Sequence, residues 1–174
     1  MNEHSRREVY HLAEVLKQHF SNHQASSFAH FVTVSDELTG EQAAQVPLAH
    51  FNSIWAVTNH MAFWMDLTRA AIVNEEVNLS AWGLSEVGGG WPPISYIDDM
   101  YWLNARDRAL ELNHALAEVV RSLDDSMLEQ PLERMWGQQL YQTILMIYSH
   151  NSYHTAEILS IRHMMGLWVD HKYT

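Results

Sequence analysis

Four long segments without proline or glycine constrain this chain most. In residues 3–23, 48–74, 95–123 and 138–165, apolar side chains recur every three or four positions, which is the spacing of one face of an α-helix. No β-hairpin signal and no internal repeat stands out between these segments. The pattern predicts an all-α fold, a four-helix bundle that residues 1–174 form as a single domain.

The sequence also predicts where several helices begin or end. Thr39 and Gln42 have the spacing of a capping box, which predicts a brief helix through residue 44. Ser95 and Asp98 have a similar relation at the start of the third long helix. Gly166 follows the fourth long helix, at the position where glycine commonly ends a helix.

The connection between the second and third long helices is unusually long. Residues 75–94 lack periodicity and include the run Gly88–Gly90. About twenty extended residues span roughly 60 Å, so the chain can cross over and give an up-down-down-up bundle. A segment of this length is typical of a lid or a binding loop, but a plain surface connection is the other interpretation. Residues 26–36 are expected to form a short helical piece, and 124–137 a polar turn region.

Composition excludes several classes of protein. The chain has 10 Lys and Arg against 21 Asp and Glu, a net charge of -11, which argues against a nucleic-acid partner because phosphate contacts need clustered basic side chains. It has no cysteine, so a transition metal must be held by His, Asp or Glu. The N-terminus has no apolar signal region, and the longest apolar-looking stretch is too short to cross a bilayer. We therefore expect a cytoplasmic protein without membrane contact.

Twelve histidines are the unusual feature of this composition. His150 and His154 are four residues apart, so in a helix both rings face the same way, which is a spacing that chelates one divalent ion. Spacing alone is weak evidence because His19 and His23 have it too. Those two lie at a helix end before a polar run, which predicts solvated side chains.

The His150/His154 pair differs because it lies on an apolar face inside a long helix. A buried imidazole needs a polar partner, and either a metal ion or a neighbouring hydroxyl or carboxylate fulfils that need. His60 is the candidate for a third ligand, since Val57 and Trp64 place it on the apolar face of the second long helix. The alternative is that His60 is a core histidine with an ordinary hydrogen-bond partner.

Two segments resemble the DinB/YfiT-like superfamily. Residues 148–162, YSHNSYHTAEILSIR, followed by Gly166, look like its C-terminal motif: HxxxH, a small residue, Gln or Glu, an apolar run, then Arg and Gly. Residues 54–64, IWAVTNHMAFW, resemble its second-helix motif, an apolar helix with one His followed by an aromatic residue. The specific pattern is confined to these residues, while helix order and length are similar over most of the chain.

The resemblance implies a metal site. Members are four-helix bundles, typically up-down-down-up, with a three-His site for a divalent ion, and the matching positions here are His60, His150 and His154. The common His-Arg-Gly-Gln form of the motif reads His154-Thr155-Ala156-Glu157 in this chain. The ligands are therefore retained, but no role of the family's Arg and Gly is carried over.

The resemblance also implies a class of reaction. Three imidazoles leave open positions on an ion, as in catalytic sites; zinc is the default metal, and nickel, iron and manganese are compatible with the ligands. Characterised relatives include thiol-dependent enzymes, which implies transfer of a low-molecular-weight thiol to a small electrophilic substrate. A metal-dependent hydrolase and a noncatalytic metal-binding bundle with a structural or stress-response role are the alternatives. Relatives are often dimers, so a homodimer is expected.

The remaining candidates lie around this site. Glu157 is interpreted as a base near the metal or as a residue that orients a ligand, against the alternative of an exposed helix charge. Arg162 matches the family's Arg and is expected to pair with a carboxylate inside the bundle. Four aromatic residues are candidates for the walls of a pocket, with core packing as the alternative: Trp64, Trp91, Trp136 and Tyr153.

Overall fold

The computed structural model of the chain describes residues 6–21 and 29–169. This part is mostly helical, as the sequence predicted. Its α-helices are α1 (Arg7–Ser21), α2 (Phe31–Val34), α3 (Gly40–Ala44), α4 (Ile54–Ile72), α5 (Asp99–Ser122) and α6 (Leu140–Met164). Two short strands, β1 (Pro131–Leu132) and β2 (Gln138–Gln139), pair antiparallel.

The long helices enclose one apolar core. Helix α4 packs against both α5 and α6, and α1 packs against the same two helices. Trp102 of α5, Phe63 of α4 and Ile158 of α6 are fully buried between them. Burying side chains of this size contributes about 1.5–3 kcal/mol each, so the apolar faces read from the sequence hold the helices together.

Capping side chains determine where α4 and α5 begin. The Ser53 hydroxyl accepts a hydrogen bond from the Ala56 amide at 3.1 Å, so α4 starts at Ile54, and the prediction that it starts after Pro47 was wrong. The Asp98 carboxylate accepts from the Met100 amide at 2.8 Å, so α5 starts after Asp98 and not at Ser95. In both cases a residue inside the predicted segment supplies the acceptor that the first free amides require.

Two predicted helix signals are confirmed. Thr39 and Gln42 form a capping box at the start of α3. At the end of α6, the Gly166 amide donates to His163 and the Leu167 amide donates to Arg162, with Gly166 at φ 74°. This is a Schellman motif, which glycine favours because it has no Cβ to oppose a left-handed conformation.

The region 124–137, predicted as a polar turn, carries part of a small hairpin. Pro131 pairs with Gln139 and Leu132 with Gln138, which corrects the expectation of no hairpin. Two residues per strand are too few for an alternating pattern to appear in sequence. The turn that joins these strands includes Trp136 in a left-handed conformation, with φ 57°.

The long connection between α4 and α5 is more ordered than expected. A 3₁₀-helix covers Leu79–Trp82, and the Trp82 indole donates to the Asp66 carboxylate of α4 at 3.0 Å. The Arg108 guanidinium of α5 lies 3.4 Å from the centre of a Trp82 ring. The connection is therefore fixed to both helices at its middle.

The predicted exposure of two histidines cannot be compared with the structure. The side chain of His19 and the whole of His23 lie outside the described residues, so their predicted exposure is a prediction still. Within the described ranges, no helix combines the length and the apolar character needed to cross a membrane.

Candidate metal centre

Three histidine side chains from two helices converge at one point. His60 comes from the middle of α4, and His150 and His154 come from successive turns of α6. One ring nitrogen from each lies within 4.8 Å of the other two, and the Nε2 atoms of His60 and His150 are 3.0 Å apart. The predicted juxtaposition of these three residues is confirmed, and the group could hold a metal ion.

Hydrogen bonds fix which nitrogen of two rings faces the centre. His60 Nδ1 lies 2.7 Å from the carbonyl oxygen of Gly90, and His154 Nδ1 lies 2.6 Å from Glu157 Oε2. A carbonyl and a carboxylate only accept, so each Nδ1 carries a proton, and the neutral form of each ring has its lone pair on Nε2. Both rings therefore offer Nε2 as a ligand atom.

The third ring completes the set. His150 Nε2 faces the lone pair of His60 Nε2 at 3.0 Å, and its Nδ1 has no hydrogen-bond partner in the part of the chain that the structure describes. Two facing lone pairs repel unless a cation or a proton lies between them. Either a divalent ion bound by all the Nε2 atoms or a proton on His150 Nε2 satisfies this arrangement.

The separation of one pair of ring nitrogens, those of His60 and His150, fits a first-row divalent ion. With bonds of about 2.0–2.1 Å, tetrahedral coordination puts neighbouring ligand nitrogens roughly 3.3 Å apart and octahedral coordination roughly 2.9 Å apart. The separation of His60 Nε2 and His150 Nε2, 3.0 Å, lies between these values. Neutral imidazole is a common ligand of zinc, nickel and iron.

Burial keeps two of the rings neutral at physiological pH. Burial lowers the pKa of His60 to about 4, against a smaller upward effect of the hydrogen bond to Gly90. Burial also lowers the pKa of His150 to about 4, and the positive charges that His154 and His60 would carry act in the same direction. Metal ligation needs the deprotonated nitrogen, so these rings are in the state that binds.

Glu157 lies behind His154, not between the three rings. Its carboxylate accepts from His154 Nδ1 at 2.6 Å, and the Asn52 amide lies 3.5 Å from its other oxygen. The hydrogen bond with His154 holds the pKa of the Glu157 carboxyl below its usual value. This is the position of a residue that orients a ligand and raises its basicity. Its predicted role as a base stays a prediction.

The long connection reaches the site at Gly90 and Trp91. Gly90 has φ 66°, and a Cβ there would lie 2.6 Å from Trp64 Nε1, so only glycine brings its carbonyl to His60 without displacing that indole. The Trp91 ring stacks on the His60 ring, with centroids 3.9 Å apart and planes 12° apart. Sequence reasoning identified Trp91 but missed Gly90, for which the run Gly88–Gly90 was the available signal.

A cavity of about 140 Å³ opens beside the three histidines. Its walls are Trp64, Trp136, Met146, Ile147 and His150. Trp64 and Trp136, both predicted as pocket residues, lie with ring centroids 6.3 Å apart. Sequence reasoning missed Met146 and Ile147, although their positions four and three residues before His150 place them on its face of the helix.

The fourth aromatic candidate, Tyr153, lies at the margin of the site. Its ring meets the His154 ring edge-on at 4.8 Å, but it is 67% exposed and does not line the cavity. Tyr153 therefore contacts the candidate metal ligand His154 but is not a wall of the cavity.

Arg162 has different hydrogen-bond partners from the carboxylate that the sequence predicted. It is buried at the far end of α6, and its Nη1 donates to the backbone carbonyls of Val34 at 2.9 Å and Asp36 at 2.7 Å. Its Nε donates to the carbonyl of Leu167 at 3.2 Å. The expected carboxylate partner is thus replaced by three backbone acceptors, because the chain after α2 and the end of α6 present carbonyls that need donors.

Comparisons of the chain with protein-family models, with curated proteins and with solved structures found no match. The donor set itself is therefore the basis for a function: three imidazoles from two helices, two of them oriented by chain acceptors, with an apolar cavity at one side.

Proposed function

We propose that this chain is a divalent-metal-dependent enzyme of the DinB-like class, with His60, His150 and His154 as the ligands of one ion. The observation that carries the proposal is the convergence of the three rings, with ligand atoms within 4.8 Å of one another. Zinc is the default ion for neutral imidazoles, and nickel, iron or manganese would fit the same ligands.

The proposed fold is an up-down-down-up four-helix bundle, and contacts between the long helices support it. Glu14, in the middle of α1, forms an ion pair with Arg121 late in α5. Lys17, one turn further along α1, reaches Glu118, one turn earlier in α5, at 2.8 Å. As one helix advances the other recedes, so α1 and α5 run in opposite directions.

Helices α4 and α5 run in the same direction. Trp55 and Trp102, near the starts of the two helices, have ring centroids 5.8 Å apart. Further along both helices, the charge of Asp66 acts on the guanidinium of Arg108. A parallel pair joined by one connection requires the chain to cross over, which is what the length of residues 73–98 permits.

Helices α4 and α6 run in opposite directions at the site. Trp64 follows His60 on α4, and Ile147 precedes His150 on α6, yet both line one cavity. Together with the other two pairs, this supports up for α1 and α6 and down for α4 and α5. It is the arrangement that the resemblance to DinB-like proteins implies.

The reaction we propose is transfer of a low-molecular-weight thiol to a small electrophilic substrate. An ion with three imidazole ligands keeps positions open and lowers the pKa of a thiol or water bound there. The chain contributes the geometry: Glu157 holds the tautomer of His154, Gly90 holds that of His60, and the stacked Trp91 ring keeps water from one face of His60.

A noncatalytic metal-binding bundle is the second candidate, and one observation favours it. Trp91 and Gly90 already cover His60 from the side of the α4–α5 connection. If that cover leaves no room for an external ligand, the ion only stabilises the helices.

Cobalt substitution tests the proposal against this candidate. Cobalt(II) takes zinc sites and reports its ligands in its absorption spectrum. Adding a small thiol such as 2-mercaptoethanol to the cobalt protein should produce a sulfur-to-cobalt charge-transfer band, and a His154→Ala variant should not show it. An unchanged spectrum after thiol addition would instead support the noncatalytic bundle.

A further inference from the structure

We propose that the cavity between α4 and α6 is a binding subsite for one uncharged, flat ring of about the size of benzene. The claim that this subsite recognises a substrate rests on the metal-dependent function proposed above. The claim that it binds such a ring depends only on the cavity. The position of the cavity, its size and the chemistry of its walls support this assignment.

The cavity begins at His150 and extends about one helical turn along α4 and α6. Trp64 is four residues after His60 on α4, and Met146 and Ile147 precede His150 by four and three residues on α6. Residues at these spacings share a helix face. The same two faces that converge on the candidate ion therefore continue as apolar walls on one side of it.

The size matches a single ring. The volume is about 140 Å³, and an apolar protein cavity of about 150 Å³ takes up one benzene molecule. The space therefore holds one ring, and the rest of a larger molecule would extend into solvent where Trp136 and Met146 are exposed, by 70% and 36%.

The walls select against charge. Trp64 and Trp136 present indole surfaces, with planes 43° apart, and Met146 adds a polarizable thioether that contacts aromatic rings favourably. Among the described residues that line the cavity, His150 is the only one whose side chain can carry a charge. Because these walls include no carboxylate, ammonium or guanidinium, a charged ring would lose hydration without gaining a partner from the chain.

The position of His150 gives the subsite its functional meaning. This residue is both a wall of the cavity and a member of the three-histidine group. A ring held against Trp64 and Met146 would thus carry its substituent next to the candidate ion. The inferred substrate is an electrophile with an uncharged aromatic or similarly flat ring attached to its reactive carbon.

Methionine methyl NMR tests the inference with toluene as the probe, alongside benzoate and benzylamine as charged rings of similar shape. In protein labelled with ¹³C-methyl methionine, toluene should shift the Met146 signal in a saturable way. In metal-free protein, where no ion can bind the carboxylate, benzoate and benzylamine should bind at least tenfold more weakly than toluene. No saturable Met146 shift with toluene, or equal binding of benzoate, would overturn the inference.

Two substitutions on one helix provide a matched pair. Met146→Trp fills the cavity and should weaken toluene binding at least tenfold, measured by NMR from the toluene signals. Met164→Trp places the same side chain at an exposed position of α6 and should leave toluene binding unchanged. Trp136→Ala removes an exposed wall without touching the core and should also weaken binding. Parent-like binding by both Met146→Trp and Trp136→Ala would contradict the subsite.

The subsite and the metal proposal fail separately. His154 does not line the cavity, so a His154→Ala variant should lose the ion and still bind toluene. Metal binding without toluene binding refutes the subsite alone. Toluene binding by a parent protein that takes up no divalent ion refutes the enzyme proposal and retains a ring-binding cavity.

Discussion

Two sets of buried polar side chains on α6 are satisfied in different ways. Near the end of the helix, the Arg162 guanidinium donates to three backbone carbonyls, those of Val34, Asp36 and Leu167. Two turns earlier, His150 and His154 meet His60 of α4, and the Nε2 atoms of His150 and His60 face each other at 3.0 Å. One set consists of donors matched with acceptors; the other brings ligand atoms together.

The difference separates a structural cluster from a candidate functional one. Buried polar groups are normally paired within the protein, and Arg162 follows that rule with its own chain. At the three histidines, chain acceptors pair Nδ1 of His60 and of His154, and the opposite edges of the rings converge. That arrangement is favourable when either a cation or a proton on His150 Nε2 lies between the facing nitrogens, and the proposed divalent ion is such a cation.

Replacing Arg162 should have the largest effect on stability. Arg162→Met leaves the buried carbonyl of Val34 and the partly buried carbonyls of Asp36 and Leu167 without this donor, and we expect the free energy of unfolding to fall by roughly 3–5 kcal/mol. Zinc affinity should stay within threefold of the parent value. Urea unfolding and zinc titration measure the two quantities.

Arg134→Met, at an exposed ion pair with Glu76, is the control and should lower the free energy of unfolding by less than about 1 kcal/mol. A fall of less than about 1 kcal/mol for Arg162→Met would show that the hydrogen bonds of Arg162 do not stabilise the fold.

Acid should destabilise the metal-free protein through the histidines. Burial holds the pKa of His60 and of His150 at about 4, below the ordinary value of 6.5. Between pH 6.5 and 4 the unfolded chain binds more protons than the folded one, so stability is present above pH 6.5 and falls as pH drops through this window. The upper limit for the two rings together is about 7 kcal/mol; because His150 is only partly buried and solvent screens its charge, we expect a loss of roughly 3 kcal/mol.

Chemical unfolding of metal-free protein across this pH range checks the acid effect. A His60→Gln/His150→Gln variant should show a flatter profile than the parent because neither glutamine titrates. Identical profiles for the two proteins would mean that other groups control the acid response, and that these rings are not held neutral by the fold.

Glu157 should affect the ion more than the fold. Glu157→Ala removes the carboxylate that accepts from His154 Nδ1, and loss of such an outer partner costs about 10- to 100-fold in metal affinity. Competition with a zinc-binding dye measures it. Glu133→Ala, at an exposed position of the hairpin region, is the matched control. Equal affinity in both variants would return Glu157 to the status of an ordinary helix charge.

Substitution of two glycines with left-handed backbones should have the smallest effects. Alanine strains either position by about 1–2 kcal/mol, but a Cβ at Gly90 also meets Trp64 Nε1 at 2.6 Å, whereas a Cβ at Gly137 meets nothing within 4 Å. Gly90→Ala should therefore lower zinc affinity several-fold as well as stability, while Gly137→Ala lowers stability alone. The same zinc affinity in both variants would show that the Gly90 carbonyl does not position His60.

The parts of the site that follow helical periodicity could be predicted from the sequence. His60, His150 and His154 each lie on an apolar helical face, so their convergence follows from packing α4 against α6. Glu157 is three residues after His154, a spacing that places it beside the ring. The mostly helical fold followed from the same periodicity.

The remaining parts depend on backbone geometry that side-chain patterns do not record. Gly90 contributes a carbonyl oxygen, which any residue possesses, and only the folded connection brings it to His60. The cavity needs Trp136 on a turn between two-residue strands, too short for a period-two signal. Arg162 matched a family position, but its partners are backbone carbonyls of Val34, Asp36 and Leu167, which no sequence pattern identifies.

Metal analysis of protein purified without a histidine tag tests the central claim most directly. The parent should retain one divalent ion per chain after dialysis, and the His60→Ala/His150→Ala/His154→Ala variant should retain none. A control variant that replaces the exposed His11, His50 and His114 with alanine should bind like the parent. If the site variant keeps as much metal as the parent, the three converging rings are not the metal site.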